Sequence, residues 1–171
     1  MIERKNAAKF GETTATLLGP ELKVGDKAPA FSVIAADKSI FTEENLKGKP
    51  TIICSIPSVD TGVCDRETKR FNDEAKKLGD KAQIVVISCD LPLRQKSWCG
   101  AAGVENARLY SDHKEVSFGN AFGTHMKELR ILSRAVFVTD QDAVVRHVEY
   151  VPVASNEPDY DKAIEAVKKL M

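Results

Sequence analysis

The spacing of apolar positions changes along this chain, and each change predicts a different kind of element. Thr51–Ile56 (TIICSI) is short and almost wholly apolar, the pattern of a strand covered on both faces. Ala82–Ser88 (AQIVVIS) reads the same way. Between them, from Gly62 to Leu78, Phe71, Ala75 and Leu78 fall in one narrow sector at about 100° per residue, which predicts an amphipathic helix. Tyr160, Ala163, Ile164, Val167 and Leu170 repeat that spacing and predict a closing helix of the same kind.

Shorter patterns fill the intervals. Thr13–Leu18 and Glu21–Val24 flank Gly19-Pro20, which predicts a hairpin within an N-terminal region of about residues 1–30. Phe31–Ile34 and Ser39–Phe41 predict a second hairpin. Asp90 is placed to cap a helix that begins near Pro92, ends in Gly100–Gly103 and puts Leu91 and Trp98 on one face. Arg108–Tyr110 predicts a short strand and Lys114–Phe122 a short helix. Ala135–Thr139 and Val144–Tyr150 flank Asp140-Gln-Asp142, a further hairpin. From residue 50 the order is therefore β-α-β-α-(β-α)-β-β-α. That order predicts an α/β, thioredoxin-like fold: a mixed central sheet flanked by helices, with an N-terminal β-hairpin extension. No repeat or linker interrupts the 171 residues, so 1–171 reads as a single domain.

Composition narrows the function classes. Lys plus Arg and Asp plus Glu both number 25, so formal charge cancels and neither nucleic acid nor a membrane surface is an expected partner. No apolar run approaches the roughly 18 residues of a membrane span. The start, MIERKNAAKF, lacks the apolar segment of a secretory signal, so a cytoplasmic protein is expected. In that reducing compartment Cys54, Cys64, Cys89 and Cys99 are read as buried residues, metal ligands or redox groups rather than staples. They contain no Cys-x-x-Cys pair, and His113, His125 and His147 add no close ligand spacing, so no metal is expected. No glycine-rich dinucleotide turn appears, and no other cofactor is implied.

The segment Ile56–Phe71 (IPSVDTGVCDRETKRF) carries the candidate chemistry. It joins the first buried strand to the first long helix. A thiol in a helix's first turn meets unpaired backbone N–H groups and the positive end of the dipole, and both favour the thiolate. Cys64 shares the angular sector of Phe71, Ala75 and Leu78, so it points into the protein. Thr61 can place a hydroxyl beside it, and Pro57 stiffens the strand exit. A cysteine at this position can equally be inert filler, because cysteine is among the most buried residue types.

Pro57-x-x-x-Thr61-x-x-Cys64 resembles the active-site pattern of the peroxiredoxins, and PSVDTGVC resembles their bacterial thiol-peroxidase branch. VGDKAPAF at Val24–Phe31, SCDLPLRQKSWCG at Ser88–Gly100, SRAVFV at Ser133–Val138 and EPDY at Glu157–Tyr160 spread the resemblance over nearly the whole chain. The resemblance implies reduction of hydrogen peroxide and organic hydroperoxides by a two-cysteine cycle. Cys64 is then the peroxidatic cysteine and Cys99 the resolving one, joined in an intramolecular disulfide. Thr61 is expected to hydrogen-bond the thiolate and the peroxide, Pro57 to shield the pocket, and Arg134 to meet the thiolate from a distant strand. A thioredoxin-type reductant and a homodimer are implied as partners. Cys54 and Cys89 match no family role; Cys54 reads as a buried residue and Cys89 as an extra thiol open to damage.

Leu93-Arg94 departs from the branch, where something like Phe-Ala is expected, and Thr124–Leu132 is less glycine-rich than the pattern. Two other readings compete. A thioredoxin-fold protein-disulfide oxidoreductase would generally use the absent Cys-x-x-Cys. A non-catalytic thioredoxin-like binding domain would leave Pro57, Thr61, Cys64, Cys99 and Arg134 together without purpose.

Overall fold

The computed structural model describes residues 1–171. At its centre β5 (Thr51–Ser55), β6 (Gln83–Ser88) and β7 (Arg108–Ser111) run parallel. On one side β10 (Ala135–Thr139) pairs antiparallel with β5, and β11 (Val145–Tyr150) with β10. On the other, β3 (Ser32–Ile34) pairs antiparallel with β7, and β4 (Ile40–Thr42) with β3. The result is one mixed sheet of seven strands, with β5 and β6 in its interior.

Alternation along these strands explains their apolar runs. Ile52, Cys54, Ile84, Val86, Val136 and Val138 face one core, with Phe71 of helix α1 (Gly62–Leu78) and Val167 of α4 (Tyr160–Lys168). Ile53, Val85, Ile87 and Phe137 face the other, with Phe31 and with Phe118 and Phe122 of α3 (Ser117–Phe122). Both faces are dry, so no polar residue is needed at either period of the strand. Phe122 meets Phe137 edge-on at 5.1 Å between ring centroids, a favoured aromatic geometry.

The predicted N-terminal hairpin exists with different partners. β1 (Glu3–Phe10) pairs antiparallel with β2 (Thr13–Leu18), Phe10 opposite Thr13, and Glu21–Val24 is not a strand. β1 reads ERKNAAKF and is mostly exposed, so it carries no apolar signal. Gly19 does not turn a hairpin. Its φ is +101°, and a Cβ there would lie 2.0 Å from the Asn120 carbonyl oxygen, so glycine permits a close backbone approach to α3. β2 continues into a small second sheet through β8 (His125–Met126) and β9 (Ile131–Leu132).

Helix α2 (Pro92–Ala102) is where predicted, and Gly103, at φ +71°, ends it by donating its N–H to the Cys99 carbonyl. Asp90 does not cap it. The cap residue is Leu91, without a side-chain bond, and the Asp90 carboxylate instead accepts from Ser58 Oγ (2.7 Å), the Val59 N–H (2.9 Å) and Ser88 Oγ (2.6 Å). The exit of β6 thereby holds the exit of β5. Leu91 is exposed while Trp98 is buried, so the two share no face.

Phe137→Ala should empty space between two rigid faces and cost about 3–5 kcal/mol. Urea unfolding should show a lowered midpoint with an unchanged slope. A midpoint within error of the parent would mean that the second core is not close-packed at this strand.

Candidate active site

The strand β5 ends at Ser55, and Ile56 and Pro57 continue it as buried chain. Asp90 then pins Ser58 and Val59, and Arg94 of α2 meets the Asp60 carboxylate. This delivers Thr61 in extended conformation to the start of α1, where Thr61 Oγ1 accepts the Cys64 N–H at 3.2 Å. Thr61 is thus the helix cap. Its oxygen engages the Cys64 backbone; the hydroxyl reaches the Ser58 carbonyl at 3.4 Å, a long bond. Cys64 lies in the first helical turn with no exposed surface.

Arg134 enters from the residue before β10 and is itself buried. Its Nη2 lies 3.3 Å from Cys64 Sγ and 2.8 Å from the Ala154 carbonyl oxygen, which also accepts from Nε at 3.2 Å. Nη1 bonds Glu67 Oε2 in a fully buried ion pair. Burial works against the Arg134 charge, but Glu67 and the Cys64 sulfur outweigh it, so its pKa stands above the ordinary value. Glu67 is pushed up to about 7, because burial outweighs Arg134, and its Oε1 has no hydrogen-bond partner. One guanidinium therefore serves a sulfur, a carboxylate and a carbonyl in a site without water exposure.

The structure brings Cys64, Thr61 and Arg134 together, with Pro57 buried at the strand exit. Cys99 sits on α2, partly buried and packed against the core cluster that contains Cys64. Trp98 Nε1 donates to Asp65 Oδ1 at 3.2 Å and fastens α2 to the turn that carries Cys64. All four cysteines are free. Burial pushes the Cys99 thiol up and the Cys54 thiol well up. Cys89, read from the sequence as an extra thiol open to damage, is pushed up to about 12 by burial and by Asp112, which disfavours its thiolate.

Sequence reasoning missed Glu67 and the role of Asp90. Glu67 had a signal: three residues after Cys64, it falls on the inward sector of α1, where a lone carboxylate needs a buried cation. Asp90 had none, since the two partners through which it holds the exit of β5 lie 31 and 32 residues away.

A family model described as Redoxin matches residues 23–164. The thiol peroxidase of Halalkalibacterium halodurans is 54% identical over 159 residues, 93% of this chain and 95% of that protein. The thiol peroxidase of Bacillus subtilis is 52% identical over 156 residues, 91% and 93% of the respective chains. A crystal structure of a peroxiredoxin-like protein from Aquifex aeolicus superposes with a TM-score of 0.83 at 36% identity, covering 92% of each chain.

Glu67 generates a pH prediction. Its folded pKa, about 7, lies above its ordinary 4.5, so the fold binds this proton more tightly than the unfolded chain does. The contribution is fully present below the lower value and is lost as pH rises through the upper one. Stability should therefore fall between these values by up to about 1.4 kcal/mol per pH unit from this group. Glu67→Gln should remove that slope. Urea titrations of both proteins from pH 4 to about 8 read the difference, and parallel stability curves would exclude Glu67 as its source.

Proposed function

The chain belongs to the redoxin family, and we propose that its thiol-dependent peroxidase activity runs through Cys64 and Cys99. The observation that carries this reading is the buried guanidinium of Arg134, 3.3 Å from Cys64 Sγ. A fixed cation beside a shielded sulfur stabilises the thiolate and then the charge that develops on the leaving oxygen. The Cys64 thiolate attacks the terminal oxygen of ROOH, the O–O bond breaks, and RO⁻ leaves as ROH after gaining a proton. Cys64 becomes a sulfenic acid. The Thr61 hydroxyl holds only a long bond to Ser58, so its proton is available to the incoming peroxide oxygen. Pro57 closes the strand exit against water. The substrates are hydrogen peroxide and organic hydroperoxides.

Cys99 resolves the cycle. The Cys99 thiol gives up its proton and attacks the Cys64 sulfur, the S–O bond breaks, and the departing hydroxide takes up a proton and leaves as water. The two cysteines belong to different helices, and a disulfide needs their Cα atoms within roughly 7 Å. The first turn of α1 and the region of Cys99 therefore unwind locally, breaking the Asp60–Arg94 and Asp65–Trp98 contacts. Closing a loop of this size stabilises the oxidised form by up to about 4 kcal/mol, and strain from the displaced turns offsets part of it. A thioredoxin-type dithiol protein then reduces the bond. The resemblance to the thiol-peroxidase branch also supports a homodimer and a cytoplasmic setting. No helix is long and apolar enough to cross a membrane.

Cys64→Ser should abolish turnover, because an alcohol does not replace the thiolate. After one equivalent of peroxide, non-reducing digestion and mass spectrometry should recover a Cys64–Cys99 peptide from a monomer-sized band. A dominant Cys64–Cys89 link, or an intersubunit one, would assign the resolving step elsewhere.

Arg134→Met leaves Glu67 buried and unpaired, so the informative variant is the pair Arg134→Met with Glu67→Gln. It should slow single-turnover peroxide reduction by about a hundredfold or more, the usual loss for one preorganised donor. Thiol alkylation at Cys64 should slow with it. Arg134→Lys should rescue only partly, since an ammonium lacks the planar fork. Unchanged rates in the double variant would remove Arg134 from the chemistry.

A further inference from the structure

Arg134 is oriented by a carbonyl that lies outside every helix and strand. The guanidinium presents Nε and Nη2 together to the Ala154 carbonyl oxygen, at 3.2 and 2.8 Å, and the same Nη2 lies 3.3 Å from Cys64 Sγ. Nη1 takes Glu67. The fork is planar and rigid, so one donor cannot shift without the others. Where the Ala154 oxygen sits therefore decides whether Nη2 faces the sulfur.

Ala154 lies beyond the last β10–β11 pair, Ala135 opposite Tyr150, in a turn that Asn156 closes by donating its N–H to the Val153 carbonyl at 2.9 Å. From Pro152 to Ala154 the chain makes no hydrogen bond outside that turn except to Arg134 and to Lys9. The Lys9 N–H donates to the Pro152 carbonyl at 2.7 Å, and the Ala154 N–H donates to the Lys9 carbonyl at 2.8 Å. One residue of β1 thus grips the segment on both sides of Val153, which it meets as a parallel bridge. A strand residue's N–H and C=O point the same way, so Lys9 faces away from β2 and its neighbours carry the β1–β2 ladder. The hairpin is itself fixed on its far side. Arg4 donates to the Gly123 carbonyl just after α3, Leu17 pairs with Met126 of β8, and the Thr16 N–H donates to Glu128 Oε2 at 2.8 Å.

We propose that Lys9, through its backbone, is a positioning residue for the reaction at Cys64, a role that rests on the reading of Cys64 and Arg134 above. Lys9 fixes the Ala154 carbonyl, the carbonyl fixes the guanidinium, and the guanidinium sets the donor at the sulfur. Lys9 touches neither sulfur nor peroxide, and its side chain is exposed. The effect needs little movement, because a reacting group misplaced by about 1 Å can lose about a hundredfold in rate. A supporting shell that locks the donors in place is what prevents that loss.

Two full-length variants cut this clamp from its two sides. Lys9→Pro removes the N–H that holds Pro152, on an edge strand where the lost donor belongs to no ladder bond. Ala154→Pro removes the other N–H at the second position of a turn, where proline is favoured, and carries the test if Lys9→Pro does not fold. Leu17→Ala is the control: it empties part of the hairpin's small core beside Ala15 and Met126 and touches neither bond. Single-turnover reduction of hydrogen peroxide and the rate of Cys64 alkylation across pH are read beside each protein's urea midpoint. Both proline variants should slow peroxide reduction by about tenfold or more and displace the alkylation curve towards higher pH. Combining them should add little, since both cut the same clamp. Leu17→Ala should lower the midpoint and leave both chemical readouts at the parent's values. Parent-like readouts in a folded proline variant, or the same changes in Leu17→Ala, would overturn the role of Lys9. A parent protein in which peroxide does not oxidise Cys64 would instead overturn the reading beneath it, and this role with it.

Discussion

A guanidinium removed from water must place its donors well, and Arg134 does so on three unlike acceptors: the Cys64 sulfur, the Glu67 carboxylate and the Ala154 carbonyl. Much of the molecule follows from holding those acceptors in place. α1 presents Cys64 and Glu67 one turn apart on a single face. β10 runs antiparallel to β5, so the residue before β10 arrives where β5 ends, and Ser55 Oγ reinforces the junction by donating to the Ser133 carbonyl at 2.8 Å. The third acceptor comes from beyond β11. Its segment is held by the N-terminal hairpin, where Ala154 donates its N–H to the Lys9 carbonyl and Lys9 donates to the Pro152 carbonyl. The hairpin extension is thus a support of the buried site as well as an edge of a small sheet.

The same ion pair sets a tension. Burial favours a proton on Glu67, while the neighbouring guanidinium favours its loss, and burial wins far enough to bring the pKa to about 7. The net charge around Cys64 therefore varies near neutral pH. A protonated Glu67 leaves the cation less neutralised beside the sulfur; an ionised one shares it. A hydrophobic pair of similar volume would be simpler to bury, so the cost is consistent with the site's chemistry rather than with stability alone.

The four cysteines show how environment separates identical groups. Cys54 points from β5 into the same core as Cys64, yet burial and Glu67 both oppose its ionisation. Cys89 lies against the opposite core beside Asp112. Cys99 is partly exposed on a helix tied to α1 by Trp98 and Arg94. Arg94 of that helix meets Asp60, just before the turn that carries Cys64. On the proposed cycle, these ties must hold for the thiolate to stay in the first turn and must break for the disulfide to close.

Much of the architecture was legible in the residues themselves. β5 and β6 are covered on both faces, so their apolar runs had to read as central strands, and the inward stripe of α1 by itself set Cys64 facing the core. Thr61 was recognisable beside Cys64, although its contact proved to be with the backbone N–H rather than the sulfur. The strand β1 was not legible, because an exposed edge strand buries too little to impose a pattern. Glu67, Asp90 and Arg134 divide along the same line. Their positions are local, but their partners are not: Glu67 and Arg134 are 67 residues apart. Periodicity carries information over a few turns of chain and says which face is buried. Which buried charge meets which, and hence what surrounds the sulfur, was decided only when antiparallel pairing of β5 and β10 brought the two segments together.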